Sequence, residues 1–259
     1  MPKRSVQVLS GTLCTLLMLG CGSDTKPKTS SDEPTPSVGA ESSSAAETEP
    51  ATSTESQAVS EPVTPAESQP AERVPQTVSL FDGSTLEGWE GNLEIFRIED
   101  SAIVGGTLES KIAHNEFLTS TKEYADFELR LKFRLKGANT NAGVQIRSRR
   151  TEKPAHEMIG YQADLGQQYW GCLYDESRRR KVLAEPNREE LNLVLKPNDW
   201  NDYRIRCEGK RIQLWINGYQ TVDYTEEDDT LEQTGLIGLQ IHGGPPGEAW
   251  YKDIEIDEL

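Results

Sequence analysis

Residues 126–136 read DFELRLKFRLK, an alternation of charged and apolar side chains without a break. Successive side chains of a β-strand point to opposite faces, so this stretch predicts a strand with one buried and one solvated face. Similar segments follow at residues 203–208, 212–216 and 250–256. Asn217-Gly218 favours a tight hairpin because both residues tolerate positive φ. Many strands joined by Gly- and Asn-rich turns predict an all-β antiparallel sandwich or jelly roll.

Few other elements are expected in this part of the chain. A short helix is predicted near residues 226–233. The basic run at residues 178–181 is interpreted as a solvated loop, with docking to an anionic lipid or polysaccharide as the alternative. Cys172 and Cys207 could form a disulfide or remain two buried thiols, and the sequence leaves both alternatives open.

The aromatic residues divide the chain, because no Phe, Trp or Tyr precedes Phe81. Residues 21–76 are rich in Ser, Thr, Pro, Glu and Ala and cannot bury enough apolar surface to fold, so they predict a disordered acidic tether. Residues 77–259 are long enough for one β-sandwich domain. The formal net charge of −16 disfavours nucleic acid as a partner and suits a neutral ligand.

The first twenty residues have the organisation of an export signal. Lys3 and Arg4 precede an apolar run at residues 6–20, which is shorter than the roughly twenty residues that a membrane span needs. The segment LMLGC, residues 17–21, further resembles a bacterial lipobox. That resemblance implies a signal peptide at residues 1–20 and a lipid on Cys21, with Gly22 favouring the outer membrane. We therefore expect a lipoprotein of the bacterial cell envelope, on the outer membrane or the periplasmic side, whose only contact with the membrane is this anchor. The alternative is an ordinary cleaved signal.

Three strands interrupt the apolar pattern with one amide and one ionisable side chain at alternating positions. The pairs are Gln145 with Arg147, Gln162 with Asp164, and Gln240 with His242. Alternating positions share one face of a strand, and amides offer the paired donors and acceptors that sugar hydroxyls need. If these strands adjoin, they predict a carbohydrate site, whereas separate strands would be ordinary solvated faces. Trp215 is a further candidate for stacking on a sugar ring.

An ordered set of motifs links the chain to a known family. They read SLFDGSTLEGW (79–89), YADFEL (124–129), NAGVQIRS (141–148), GYQ (160–162), GCLY (171–174), NDWN (198–201), WING (215–218), GLQIHG (238–243) and KDIEI (252–256). Together they resemble the 3-keto-disaccharide hydrolase domain family. The resemblance implies a concanavalin-like lectin/glucanase jelly-roll sandwich. It also implies action on 3-keto-glycosides by 1,2-elimination followed by hydration, which amounts to hydrolysis.

That chemistry assigns roles to the polar side chains. A ketone at C3 acidifies the C2 proton, so His242 or Asp164 could remove it as the base. Arg147 could stabilise the enolate oxygen, or a divalent metal could replace it; no cofactor motif is evident. Tyr174 could protonate the leaving group. The residues expected to bind the sugar are Gln145, Gln162, Gln240 and Trp215.

Two positions depart from the family pattern and favour a different function. Gln162 stands where many relatives carry an acidic residue after Gly-Tyr, and Ala142 stands in place of Ser beside Gly143. These changes favour a non-catalytic, lectin-like carbohydrate-binding module of the cell envelope. Its ligand would be an oligosaccharide rather than a 3-keto-glycoside. A structural or adhesion domain is the third alternative.

Overall fold

The computed structural model describes residues 76–259. The export signal, the lipidation of Cys21 and the tether therefore lie outside the described residues and stay predictions. Within this range the chain forms fifteen strands, the α-helix α1 (Arg188–Val194) and a 3-10 turn (Gln167–Tyr169). No helix between residues 76 and 259 has the length and apolar character that crossing a bilayer requires.

The strands form two antiparallel sheets. The first sheet contains β1 (Thr77–Ser79), β3 (Phe96–Glu99), β4 (Ala102–Thr107), β6 (Phe127–Lys136), β11 (Asn201–Glu208), β12 (Arg211–Ile216), β13 (Tyr219–Thr225) and β15 (Gly247–Glu258). Its order is β13-β12-β11-β6-β15-β4-β3, and β1 also pairs with β15. The second sheet contains β2 (Trp89–Glu90), β5 (Glu116–Tyr124), β7 (Asn141–Arg150), β8 (Met158–Gly166), β9 (Leu173–Glu176), β10 (Val182–Ala184) and β14 (Gly235–Ile241). Its order is β10-β9-β8-β7-β14-β5-β2.

The core lies between the two sheets, as the alternating pattern predicts. In β6 the residues Phe127, Leu129, Leu131, Phe133 and Leu135 are all buried, whereas the charged residues between them are partly exposed. They pack in one cluster with apolar side chains of β7, β8 and β14. Burying each such side chain stabilises the fold by about 1.5–3 kcal/mol. The sandwich fold class is therefore confirmed.

Two local predictions are wrong. Residues 226–233 form no helix, and the helix is α1 instead, where the side chain of Asn187 accepts hydrogen bonds from the backbone N–H groups of Glu189 and Glu190. The basic run at residues 178–181 is not simply a solvated loop. Arg178 and Arg179 both form ion pairs with the fully buried Asp175, and Arg179 also pairs with Glu226. We call Asp175, Arg178, Arg179 and Glu226 the charge network.

The two cysteines of the domain are separate, buried, free thiols. Burial raises the pKa of Cys172 to about 11 and that of Cys207 to about 12. The thiolate is the nucleophilic form of cysteine, and a raised pKa keeps the sulfur protonated. Both groups are therefore poor nucleophiles at neutral pH. Of the two alternatives that the sequence left open, the structure has the pair of buried thiols.

Candidate functional site

The three polar strands of the sequence analysis are neighbours in the second sheet. The order β8-β7-β14 places Gln145 directly opposite Gln162, and it places Gly143 between Asp164 and Gln240. Alternate residues of these strands, such as Val144, belong to the core between the sheets. The three glutamines therefore face away from the core, on the outer face of the second sheet.

The side chains of Gln145, Gln162 and Gln240 form a hydrogen-bonded line that we call the amide row. Gln145 Nε2 donates to Gln162 Oε1 at 2.8 Å, and Gln162 Nε2 donates to Gln240 Oε1 at 3.3 Å. At the other end, Ser148 Oγ lies 2.7 Å from Gln145 Oε1. The three amides are at most 1% exposed. Buried amide groups without partners cost about 1–3 kcal/mol each, so the row is a built feature and not a solvated face.

Two glycines make room for this arrangement. A Cβ at Gly143 would lie 2.7 Å from Gln162 Cδ, and a Cβ at Gly238 would lie 2.6 Å from Met158 Sδ. Side chains from β8 can therefore lie flat across β7 and β14 only because these positions lack a Cβ. The amide row is therefore not interrupted by a side chain from Gly143 or Gly238.

Ionisable groups lie beside the amide row, towards β9. Burial raises the pKa of Asp164 well above its ordinary value, and the charge of Glu176 adds to this effect. Burial also raises the pKa of Glu176; Glu157 raises it further and His242 opposes the shift. Tyr174 lies opposite Gln162 in the β8–β9 register, is half-buried, and has a pKa raised by burial. We call Asp164, Tyr174, Glu176 and His242 the rim.

His242 is the exposed member of the rim. It follows the last residue of β14, and its backbone N–H donates to Asn141 O at 3.0 Å. Its ring Nδ1 lies 2.6 Å from Gly243 O. A carbonyl oxygen can only accept, so Nδ1 carries the proton of this bond, and the neutral ring keeps a lone pair on Nε2. His242 can therefore act as a base towards a ligand that approaches from solvent.

The connection between β7 and β8, residues 151–157, closes over part of this face, and we call it the crossing loop. Next to it, Arg150 donates to Thr119 Oγ1 and Phe117 O on β5, although β14 lies between β7 and β5. Within the loop, His156 stacks on His114 with ring centroids 3.7 Å apart. Asn115 Nδ2 also donates to Glu157 Oε2 at 3.3 Å. The loop and its flanking residues thus cross β14, which explains why the amide row is buried.

Arg147 does not join the amides, so the expectation that it shares their face is wrong. The β7–β8 register shifts between Ile146 and Arg149, and Arg147 has a φ of 47°, in the left-handed region. This bulge turns the side chain away. Its guanidinium is fully buried and bonded to Ala125 O, Gly209 O, Gln233 Oε1 and Asp126 Oδ1. A guanidinium with four protein acceptors is a structural clamp, and it is not available to an enolate.

Trp215 is also distant from the amide row. It lies in β12 of the first sheet, with the guanidinium of Arg204 3.7 Å from the centre of its ring. A cation on the ring face occupies the surface on which a sugar would stack. The structure therefore brings together His242, Asp164, Tyr174 and the three glutamines, but not Arg147 or Trp215.

Several residues of this site were not predicted from the sequence. Glu176 is two positions after Tyr174 in β9 and therefore shares its face, a relation that the alternation in LYDE could have shown. Ser148, Glu157 and Arg150 join the site through the bulge and the crossing loop, which leave no signal in a period of two. Among residues 76–259, no three His, Cys, Asp or Glu side chains are placed to hold one metal ion. The divalent metal stays a prediction.

The raised pKa of Asp164 predicts that Asp164→Asn is more stable than the wild type at pH 8. The folded protein keeps this proton at pH values at which the unfolded chain has lost it, so stability falls as pH rises from the ordinary value of 3.8 through the folded pKa. Asparagine cannot ionise and avoids this loss. Urea unfolding at pH 5 and pH 8 should show a steeper decline for the wild type. Equal declines in the two proteins would contradict the prediction.

Comparisons with known proteins agree with this architecture. A family model described as a 3-keto-alpha-glucoside-1,2-lyase-like domain matches residues 76–257. No curated protein matches the sequence significantly. A solved Parabacteroides distasonis protein, described as a candidate glycosyl hydrolase, is 18% identical with a TM-score of 0.54 and covers 71% of this chain and 94% of its own. A second such protein from that organism is 21% identical with a TM-score of 0.53, covering 71% and 100%.

A third solved structure has the same fold at lower identity. It is a Bacillus subtilis protein of unknown function with a galectin-like fold, 11% identical with a TM-score of 0.54, covering 71% of this chain and 94% of its own. At these identities the three structures show the fold of the domain and nothing about its ligand.

Proposed function

The chain belongs to the 3-keto-alpha-glucoside-1,2-lyase-like family, and from that premise we propose that it cleaves 3-keto-glycosides by 1,2-elimination followed by hydration. The observation that carries the proposal is that a candidate base, His242, and a candidate acid, Tyr174, lie beside the buried amide row. His242 has a free Nε2, and Tyr174 lies opposite Gln162 on the neighbouring strand. Amides provide the uncharged donors and acceptors that bind sugar oxygens.

In the first half of the reaction, His242 Nε2 takes the proton from C2 of the sugar. The electron pair of that C–H bond moves towards the C3 ketone, and the enolate then expels the C1 substituent to leave a C1=C2 double bond. The Tyr174 hydroxyl gives its proton to the departing oxygen. General acid–base steps of this kind contribute typically 10²–10⁴-fold. The charge of Glu176, which interacts with His242, stabilises the imidazolium that forms.

In the second half, water replaces the departed group. The tyrosinate takes a proton from water, whose oxygen adds to C1, and the imidazolium returns its proton to C2. Atoms and protons then balance as a net hydrolysis of the glycoside. Asp164 is buried beside Gln162, so it is not placed to meet the sugar as the base, and His242 takes that role.

An assay of the full chain with 4-nitrophenyl 3-keto-glucoside tests this proposal. We expect release of nitrophenol and, in D₂O, incorporation of deuterium at C2, with no release from the unoxidised glucoside. Parallel reactions with a chelator and with added divalent cations test the metal alternative. Absence of both release and C2 exchange in every condition would exclude the enzymatic function.

A lectin-like binding module is the second candidate, and Gln162 favours it. This glutamine occupies the position at which the sequence analysis expects an acidic residue in many relatives, and in the structure it is the centre of the amide row. Calorimetry with unoxidised oligosaccharides distinguishes the two functions. Saturable binding without turnover of the 3-keto-glucoside would support a binding module.

We also propose that Cys21 anchors the protein to a lipid surface of the bacterial cell envelope, on the outer membrane or the periplasmic side. The lipobox-like segment that ends at Cys21 supports this location. Metabolic labelling with a radioactive fatty acid should mark the wild type and not Cys21→Ser. Labelling of both would exclude this anchor.

A further inference from the structure

The amide row ends in an unpaired donor. Gln240 is fully buried, and its Oε1 accepts from Gln162 Nε2. Its Nε2 has no hydrogen-bond partner among residues 76–259. Buried side-chain amides are nearly always paired with protein, water or a ligand, so this donor is available to a water molecule or to a ligand. Of the glutamines in the row, Gln240 is thus the one with capacity for a ligand.

The direction of the row determines which atom of Gln240 is free. Gln162 Nε2 is the end of its amide that faces both Gln240 and the Asp164 carboxyl group, which it stabilises by a hydrogen bond. Turning that amide over would place its N–H₂ group against Gln145 Nε2, which now donates to Gln162 Oε1 at 2.8 Å. Gln162 therefore donates an N–H to Gln240, and the Gln240 side-chain oxygen accepts it. The N–H₂ group of Gln240 is left to point away from the row.

The proposed reaction needs such a donor. Charge accumulates on the C3 oxygen of the sugar as the C2 proton leaves, and a fixed donor at that oxygen lowers the barrier because the bond strengthens in the transition state. Arg147, the sequence candidate for this role, is bonded to four protein acceptors. His242 lies two residues after Gln240, at the end of the same strand.

We propose that Gln240 Nε2 donates a hydrogen bond to the C3 oxygen of the 3-keto-sugar and stabilises its enolate. This assignment rests on the proposed function. It makes Gln240 a catalytic residue whose orientation is fixed by Gln162 and Gln145. A neutral donor suits the task, because it binds the ketone and the enolate without introducing a buried charge.

Neighbouring side chains enclose this donor along β14. Met158 Sδ lies over Gly238, on one side of Gln240 along β14. Beyond the other side, Asn115 Oδ1 accepts a hydrogen bond from Gly243 N–H, and Asn115 Nδ2 donates to Glu157 of the crossing loop. Gln240 is fully buried, so the proposal requires these neighbours to move before a sugar oxygen reaches its Nε2. The rim remains partly exposed and offers the entrance.

Deuterium exchange at C2 of 4-nitrophenyl 3-keto-glucoside tests the assignment, together with steady-state kinetics. We expect Gln240→Met to slow exchange and kcat by about tenfold to a hundredfold, with a smaller change in KM, because the lost bond strengthens in the transition state. Gln220→Met is the matched control. It makes the same change at an exposed glutamine of the first sheet and should keep wild-type kinetics.

Gln240→Glu supplies a signature that a structural role would not give. A protonated glutamic acid can still donate, whereas its carboxylate cannot, so activity should persist at low pH and fall as the new side chain ionises, relative to the wild-type profile. If the wild type exchanges no deuterium, the proposed function itself fails. If the wild type exchanges and Gln240→Met keeps a folded, wild-type rate, or Gln240→Glu follows the wild-type pH profile, the role of Gln240 is overturned.

Discussion

Replacing His242 with alanine is expected to lower kcat on 4-nitrophenyl 3-keto-glucoside by about 10²–10⁴-fold, the usual contribution of a general base. The imidazole is exposed, and its one hydrogen bond within residues 76–259 is the Nδ1 contact with Gly243 O. The backbone bond from His242 N–H to Asn141 O remains in the variant. The thermal midpoint should therefore change little while the rate collapses.

Chemical rescue separates loss of the base from loss of structure. The vacated position is open to solvent, so added imidazole should restore part of the activity of His242→Ala and none to the wild type. His242→Gln is the matched control, because it can still donate to Gly243 O but provides no base. A His242→Ala protein with kcat within threefold of wild type would show that another group takes the C2 proton.

The second large effect is on stability, and it concerns the charge network. Glu226→Gln is expected to lower the free energy of unfolding by about 1.5–3 kcal/mol, because it weakens the charge-assisted hydrogen bonds that Glu226 accepts, while Arg179 keeps its ion pair with Asp175. The Glu226 side chain is only 2% exposed. It accepts hydrogen bonds from Arg179 Nη2 at 2.7 Å and from Tyr161 Oη at 2.7 Å. Urea unfolding at pH 7 measures the loss.

The same residue predicts an acid limit for the fold. Burial raises the pKa of Glu226, but its hydrogen bonds outweigh burial and hold the pKa at about 2. Because the folded pKa lies below the unfolded one, the stabilisation is complete above about pH 4.5 and declines as pH falls towards 2. Glu226→Gln should not show this part of the decline. As control, Asp223→Asn, in the exposed pair with Arg211, should lower the free energy of unfolding far less.

The charge network also bears on the site. Asp175 lies between Tyr174 and Glu176 in β9, and its side chain is fully buried on the opposite face of the strand. Because the charge network holds Asp175 in place, it also fixes the orientation of Tyr174 and Glu176 on the opposite face of β9. Glu226 follows β13, an edge strand of the first sheet, so the network joins that edge to β9, the strand next to the edge of the second sheet.

Much of the fold was accessible from the sequence, because a half-buried antiparallel strand must alternate. The β6 pattern predicted its buried face residue by residue, and the pairs Gln145/Gln162 and Gln240/Gly143 followed once the strands adjoined. The α1 helix was missed despite a capping Asn187 followed by two glutamates, because its seven residues show too little periodicity.

Only part of the candidate site could be predicted from the sequence, and the reason differs from that for the fold. One inserted residue in a bulge exchanges the two faces of a strand, and Arg147 was assigned to the wrong face because the pattern of β7 does not mark its bulge. Trp215 has an aromatic ring of the kind that stacks on sugars, but it lies in the first sheet and the amide row lies in the second. Only the three-dimensional strand pairing reveals this separation. The catalytic roles of His242, Asp164 and Tyr174 stay predictions that the experiments above address.

The amide row has a consequence for how recognition and turnover respond to conditions. Amides neither gain nor lose protons at any physiological pH, and their buried hydrogen bonds are insulated from salt. The rim, in contrast, consists of groups that titrate. On the proposed function, groups that do not titrate hold the sugar and stabilise its C3 oxygen, whereas the rim transfers the protons. The geometry of sugar binding would then stay constant with pH, while proton transfer at the rim would depend on it.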